Sequence, residues 1–181
     1  MIRIGLGHIM TDGKVSLRQW TLEDAPVLAE IINNKNVQDN LNDLPYPYTV
    51  NDAIWFINSI STGEKDMNYI FAITFNDNPV GCIGLHRGTG NYCKIAELGY
   101  YLDENYWGKG IMTKAIKQVC AFGFETTDIV RIYARPFSYN KASTRVLEKA
   151  GFQFEGVLRK NAIKNGQLID MAVYAIIKDD L

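Results

Sequence analysis

The stretch Glu97-Leu98-Gly99-Tyr100-Tyr101-Leu102-Asp103-Glu104-Asn105-Tyr106-Trp107-Gly108-Lys109-Gly110-Ile111-Met112-Thr113 decides the architecture of this 181-residue chain. An apolar, aromatic-rich run reads as a strand and ends in a short loop. Two glycines bracketing a lysine then open a helix. The first N–H groups of a helix have no intrahelical partner and lie at the positive end of the macrodipole. Glycines let an anion approach that backbone closely, so strand–Gly-x-Gly–helix makes a seat for a pyrophosphate. It is not a Walker A loop, because G-x-x-x-x-G-K-S/T is absent. It is also a poor dinucleotide fingerprint, since Thr113 stands where the last glycine belongs and no ribose-binding acid follows at the right distance.

Outward from this stretch the chain alternates strand and helix signals. Residues 14–20 alternate in polarity and predict a first strand. Thr21 caps a helix, with Asp24 three residues on and Ala25, Leu28, Ala29 and Ile32 as its apolar stripe. Residues 33–48 are rich in Asn and Pro, and the prolines exclude helix from residues 44–48. Thr49 caps a second helix carrying Ile54, Phe56, Ile57 and Ile60, with a stop near Gly63. Strands follow at 69–75 and 80–86 around an Asn76-Asp77-Asn78-Pro79 turn, and at 93–102 after a glycine-rich turn. A helix from 110 to about 124, a strand at 129–134 and a helix from 140 to 150 closed by Gly151 come next. Strands at 152–158 and 168–177 flank an Asn165-Gly166 hairpin turn. The order β-α-α-β-β-β-α-β-α-β-β predicts an α+β fold, a mixed sheet of about seven strands flanked by about four helices. The strand–helix–strand unit over 95–135 implies one parallel crossover, and the hairpins imply antiparallel pairing. Such a sheet parts where the two kinds of pairing meet, which leaves a cleft.

Composition narrows the function classes. The length suits one domain with a real core, and residues 1–13 form a weakly patterned N-terminal segment. Nineteen basic against twenty acidic residues give a net charge of −1, which points away from nucleic acid. No apolar run is long enough to span a membrane, and the three cysteines fall in no metal-binding spacing. A cytoplasmic protein with reduced thiols is expected. A homodimer is left open.

Four segments in order carry a family resemblance. Residues 107–112 after Glu97-Leu98-Gly99-Tyr100 resemble the acetyl-CoA signature of the GNAT N-acetyltransferases, and the closest subgroup is the ribosomal-protein N-terminal (RimJ/RimL) type. Pro45-Tyr46-Pro47-Tyr48-Thr49 is similar to that subgroup's proline–aromatic segment. Residues 140–152 are similar to its Asn-x-x-Ser helix ending in Gly-Phe, and residues 155–159 to the strand after it. The resemblance implies a splayed sheet whose opening takes the pantetheine arm of acetyl-CoA. The backbone amides of Trp107, Gly108, Lys109, Gly110, Ile111, Met112 and Thr113 would then hold the pyrophosphate. Asn140 would bond the pantetheine amides, and a backbone N–H near Leu98, Gly99 or Tyr100 would polarise the thioester carbonyl. Trp107 and Met112 depart from the family's polar first and small last positions.

Transfer of an acetyl group to an amine needs two proton movements, one off the ammonium and one toward the departing thiolate. Glu97 is the base candidate, since strand alternation sets it on the face of Gly99 and Tyr101. The family's usual acid, a tyrosine seven residues after Asn140, is replaced by Leu147. Ser143 is the matching group in RimJ/RimL-type relatives, where it stabilises the cofactor sulfur. Glu155, His86 and Tyr139 are lesser candidates, and Trp20, Trp55, Tyr46 and Tyr48 read as core and loop anchors. The acceptor implied is a protein N-terminal α-amine. A small amine (polyamine, amino acid or aminoglycoside) and a non-catalytic acyl-CoA sensor remain alternatives.

Overall fold

A computed structural model describes residues 10–41, 44–61 and 68–180. Its strands are β1 (Met10–Asp12), β2 (Val15–Arg18), β3 (Asn68–Phe75), β4 (Asn78–Arg87), β5 (Ile95–Leu102), β6 (Arg131–Ala134), β7 (Gln153–Lys164) and β8 (Gln167–Ile177). They form one sheet in the order β1-β2-β3-β4-β5-β6-β8-β7. Among the described strands only β5 and β6 run parallel, as the crossover requires. The helices are α1 (Ala25–Asn33), α2 (Lys35–Gln38), α3 (Val50–Ser61), α4 (Ile111–Thr126) and α5 (Lys141–Lys149).

The expected mixed sheet is present, with one extra edge strand. β1 arises in the weakly patterned segment because Met10–Asp12 pairs back onto β2 across a turn at Gly13, whose φ is +65°. The one-turn helix α2 is also additional. Asn34 caps it by accepting from the N–H groups of Asn36 and Val37. Thr21 forms the expected box with Asp24, and Thr49 caps α3 as expected, accepting from the Asp52 N–H while the Asp52 carboxylate accepts from the Thr49 N–H. The expected stop at Gly63 lies outside the described residues. At the Asn165-Gly166 turn both residues have positive φ, and pairing reaches Lys164↔Gln167, so β7 extends beyond the expected end at 158.

Two apolar layers cover the sheet. On one face Ile83, Leu85, Leu98 and Leu102 pack against α4 through Ile116 and Val119. On the other, Ala72 and Cys82 pack against Leu28 and Ile32 of α1 and Ala53 and Ile57 of α3. Trp20 and Tyr48 are buried there as expected. Trp55 and Tyr46 are instead 72% and 70% exposed. Helical periodicity explains Trp55, since Ala53 and Ile57 share the inner face and the position midway between them points outward.

The sheet parts at one place. β5 and β6 pair only from Ile95↔Arg131 to Glu97↔Tyr133, while β5 continues to Leu102 and β6 ends at Ala134. From Leu98 onward, therefore, the N–H groups on that side of β5 face an opening rather than a strand.

Candidate functional site

The loop between β5 and α4 is shaped by its own bonds. Asp103 accepts from the Asn105 N–H at 2.9 Å, and the Trp107 indole donates to the Leu102 carbonyl at 2.8 Å. Gly108 and Gly110 then adopt φ of +73° and +74°, and a Cβ on either would meet no protein atom within 4 Å. Both therefore offer bare backbone to open space. Gly110 is the N-cap of α4 without any side-chain cap, and the first helical bond runs from the Lys114 N–H to the Gly110 carbonyl. The N–H groups of Ile111, Met112 and Thr113 thus lack intrahelical acceptors. The side chains of Ile111 and Met112 are buried in the core, so the large Met112 side chain does not crowd this cradle.

The cradle borders a cleft of about 710 Å³. Its walls come from β5 between Glu97 and Leu102, from His86 of β4, from Arg135 after β6, and from Asn140 and Ser143 at the start of α5. All the candidate residues placed on β5, on the α4 start and at Asn140 and Ser143 are thereby brought together, except that Lys109 turns its ammonium over the Tyr106 ring, 4.9 Å from its centre. Asn140 caps α5 by accepting from the Ser143 N–H at 3.0 Å, which leaves its side-chain NH₂ as a donor.

The two faces of β5 supply different chemistry. On the α4 side, Tyr100 reaches the Ser143 hydroxyl at 2.6 Å. Burial pushes the Tyr100 phenol up to about 12, so it stays protonated at neutral pH. With Tyr100 donating to Ser143 Oγ, the serine's own proton is free for a group in the cleft. Leu147, at the family's tyrosine position, is fully buried. The sheet thus presents a phenol that residue spacing did not reveal.

On the other face Glu97 is not free. Arg135 holds both of its oxygens, Nε at 3.0 Å and Nη2 at 2.8 Å, and the Tyr133 hydroxyl donates at 3.3 Å. This pair is about one-third exposed. The carboxylate hydrogen bond raises the Arg135 pKa further. Sequence reasoning missed Arg135, although a signal existed: parallel pairing sets Glu97 beside Tyr133, and two residues further along β6's course bring Arg135 to the same face. His86 stands directly across from Glu97 in the β4–β5 register. Burial of part of its ring lowers its pKa, and Glu97 opposes that shift.

The remaining candidates lie elsewhere. Glu155 pairs with Arg131, which holds its carboxyl below the usual range. Tyr139 donates to the Asp39 carbonyl at 2.8 Å and ties down α2. Lys164 and Glu104 add to that anchoring through Leu41, Asn34 and Asn36. The short helix becomes a fixed wall of the cleft at Asn36 and Asn40.

The chain matches the profile of the Acetyltransferase (GNAT) domain over residues 14–153. It belongs to that family. As a GNAT protein it is 32% identical over 173 residues to the uncharacterized N-acetyltransferase YoaA of Bacillus subtilis, covering 94% of this chain and 97% of the relative. It is 30% identical over 156 residues to the ribosomal-protein-serine acetyltransferase of Escherichia coli, covering 85% and 87%. Among solved structures, the GNAT fold is shared with the self-immunity acetyltransferase MccE in complex with acetyl-CoA and AMP. That match has a TM-score of 0.81 and 26% identity, over 92% of this chain and 93% of MccE.

Proposed function

We propose that this chain transfers the acetyl group of acetyl-CoA to the α-amine of a protein N-terminus, by direct attack in a ternary complex. The observation that carries the reading is the cradle of open glycine backbone at Gly108–Gly110. It leads directly into a cleft that holds a hydroxyl pair on one face and a carboxylate with an imidazole on the other. The MccE complex and the ribosomal-protein-serine relative support the donor and the acceptor respectively. Bound acetyl-CoA supplies a thioester whose carbonyl carbon takes the amine and whose thiolate leaves. The amides of residues 107–113 would hold the pyrophosphate, and Asn140 the pantetheine. The unpaired side of β5 near Leu98, Gly99 and Tyr100 would offer an N–H to the developing oxyanion.

Charge in the cleft bears on the acceptor. Among the described residues lining it, Glu97 is the one carboxylate, and it is shared with Arg135. A polyamine or aminoglycoside brings several ammonium groups and would find too few counter-charges. A single α-ammonium, with a pKa near 8, needs only one carboxylate and loses its proton easily. Glu97 is the group that draws it in. A cysteine relay does not fit: none of Cys82, Cys93 and Cys120 lines the cleft, and burial pushes the Cys82 thiol up to about 11 and the Cys120 thiol to about 12, away from thiolate. Three free thiols suit the cytoplasm as the working compartment.

Thiol release from acetyl-CoA, followed with a panel of peptide N-termini, amino acids and polyamines, tests the reading. Release is expected with peptides beginning in small residues. Cofactor binding with no release for any amine would instead make the chain a sensor, and release with polyamines alone would displace the α-amine. Within the reaction, Ser143→Ala and Tyr100→Phe should each lower kcat about tenfold with the acetyl-CoA KM unchanged. Combining them should cost no more than the larger single loss, because Tyr100 acts through Ser143. Additive losses would show that the two hydroxyls work separately.

A further inference from the structure

We propose that His86, rather than Glu97 alone, receives the proton that the acceptor amine gives up. This rests on the acetyl-transfer reading above and assigns a step within it. Three observations place the imidazole for that work. It lines the cleft at the point where β5 and β6 part. It lies over Gly99, where even a Cβ would sit in ordinary contact with it, 3.5 Å from Nε2. It also pairs in register with Glu97, the carboxylate that draws the ammonium in. Glu97 itself is held on both oxygens by Arg135. A carboxylate so engaged has both oxygens committed to the guanidinium, whereas no hydrogen bond among the described residues consumes His86's ring nitrogens.

The groups facing this position are Glu97 and Tyr101 of β5, Tyr133 of β6 and Arg135 beyond it. From α2 and the turn after it the cleft receives Asn36 and Asn40, which are uncharged. Of these, Glu97 raises the His86 pKa, while burial lowers it by more. The ring is therefore neutral at pH 7 and able to accept a proton. In the step itself the ammonium's N–H proton passes to the imidazole and the freed nitrogen pair forms the C–N bond. As the C–S bond breaks its electrons leave on sulfur beside Ser143, the second N–H proton of the tetrahedral intermediate passes through the Ser143 hydroxyl to that sulfur, and the imidazolium returns its own proton to water. The sum is amide, thiol and one released proton.

The sign follows. The active form is neutral His86, so kcat/KM must fall as pH drops through the His86 midpoint, which burial sets below that of a free imidazole. Removing the negative charge of Glu97 must move that midpoint lower still. The chain has two histidines, His8 and His86, so the His86 ring resonance is identified by its loss in His86→Gln. We expect its NMR titration midpoint in the free protein to coincide with the acidic limb of kcat/KM measured with a serine-initiated peptide. Both should shift down together in Glu97→Gln. His86→Gln should lose about a hundredfold in kcat at pH 7, lose the limb, and keep wild-type coenzyme A affinity by calorimetry. A limb unchanged in His86→Gln, or one that does not follow the NMR midpoint, overturns the role of His86 and leaves acetyl transfer standing. Wild-type cofactor binding without any thiol release overturns the transfer reading, and the role of His86 with it.

Discussion

Gly110→Val should lose about a thousandfold in acetyl-CoA affinity while the protein remains folded. The position has φ of +74°, where a β-branched residue is a steric outlier. Valine would pull the backbone toward negative φ and turn the cap of α4. The N–H groups at the helix start would then leave their common focus. Losing two charge-assisted bonds of about 2 kcal/mol each to a pyrophosphate gives roughly that factor. The control is Gly166→Val at the β7–β8 turn, where φ is +75° and a Cβ likewise meets nothing within 4 Å. The two variants share the backbone strain, so both should lose similar stability. Only the first should lose the ligand, read by calorimetric titration with coenzyme A. Equal affinity in the two variants would move the pyrophosphate away from this cradle.

Gly81→Ala should be the most destabilising single-methyl change in the sheet. A Cβ at Gly81 would lie 2.4 Å from the Tyr101 carbonyl oxygen and 3.0 Å from the Leu102 Cα, both backbone atoms of β5. Backbone in a central strand cannot swing aside as a side chain does, so β4 and β5 would have to separate. Overpacking of this kind costs about 2–3 kcal/mol. For a chain of this size that lowers Tm by about 5–10 °C. Gly99→Ala, three pairs along the same ladder, is the contrast. Its Cβ would meet only the His86 ring at 3.5–3.7 Å, an ordinary contact, so thermal melting should stay near wild type. A Gly81→Ala melt indistinguishable from that of Gly99→Ala would contradict the close approach of the two strands.

The local devices of this fold are written in short stretches and were legible there. Thr21 with Asp24, Thr49 as the cap of α3, and the Asn165-Gly166 pair act within three residues of themselves, and each does what its type and spacing dictate. The strand–Gly-x-Gly–helix stretch likewise fixes where bare backbone meets a helix start. Contacts that join distant segments were not legible, because a two-residue period tells which face a side chain takes and not what it meets. Arg135 closes on Glu97 across 38 residues, and Tyr100 meets Ser143 across 43. These two pairings are what change the chemistry expected of the cleft. They turn a free carboxylate into a held charge and a lone serine into half of a hydroxyl pair. The edge strand β1 and the one-turn α2 escaped for a related reason. Each is too short to carry a period of its own and exists because a neighbour supplies its partners.

Direct transfer is open to a decisive reading by intact mass. The protein is incubated with acetyl-CoA, first alone and then with a serine-initiated peptide. The geometry predicts no acetyl group retained on the protein in the first mixture. In the second it predicts one acetyl group on the peptide α-amine for each thiol released. An acetylated protein in the first mixture, or thiol released without acetylated peptide, would contradict attack by the amine within the cleft.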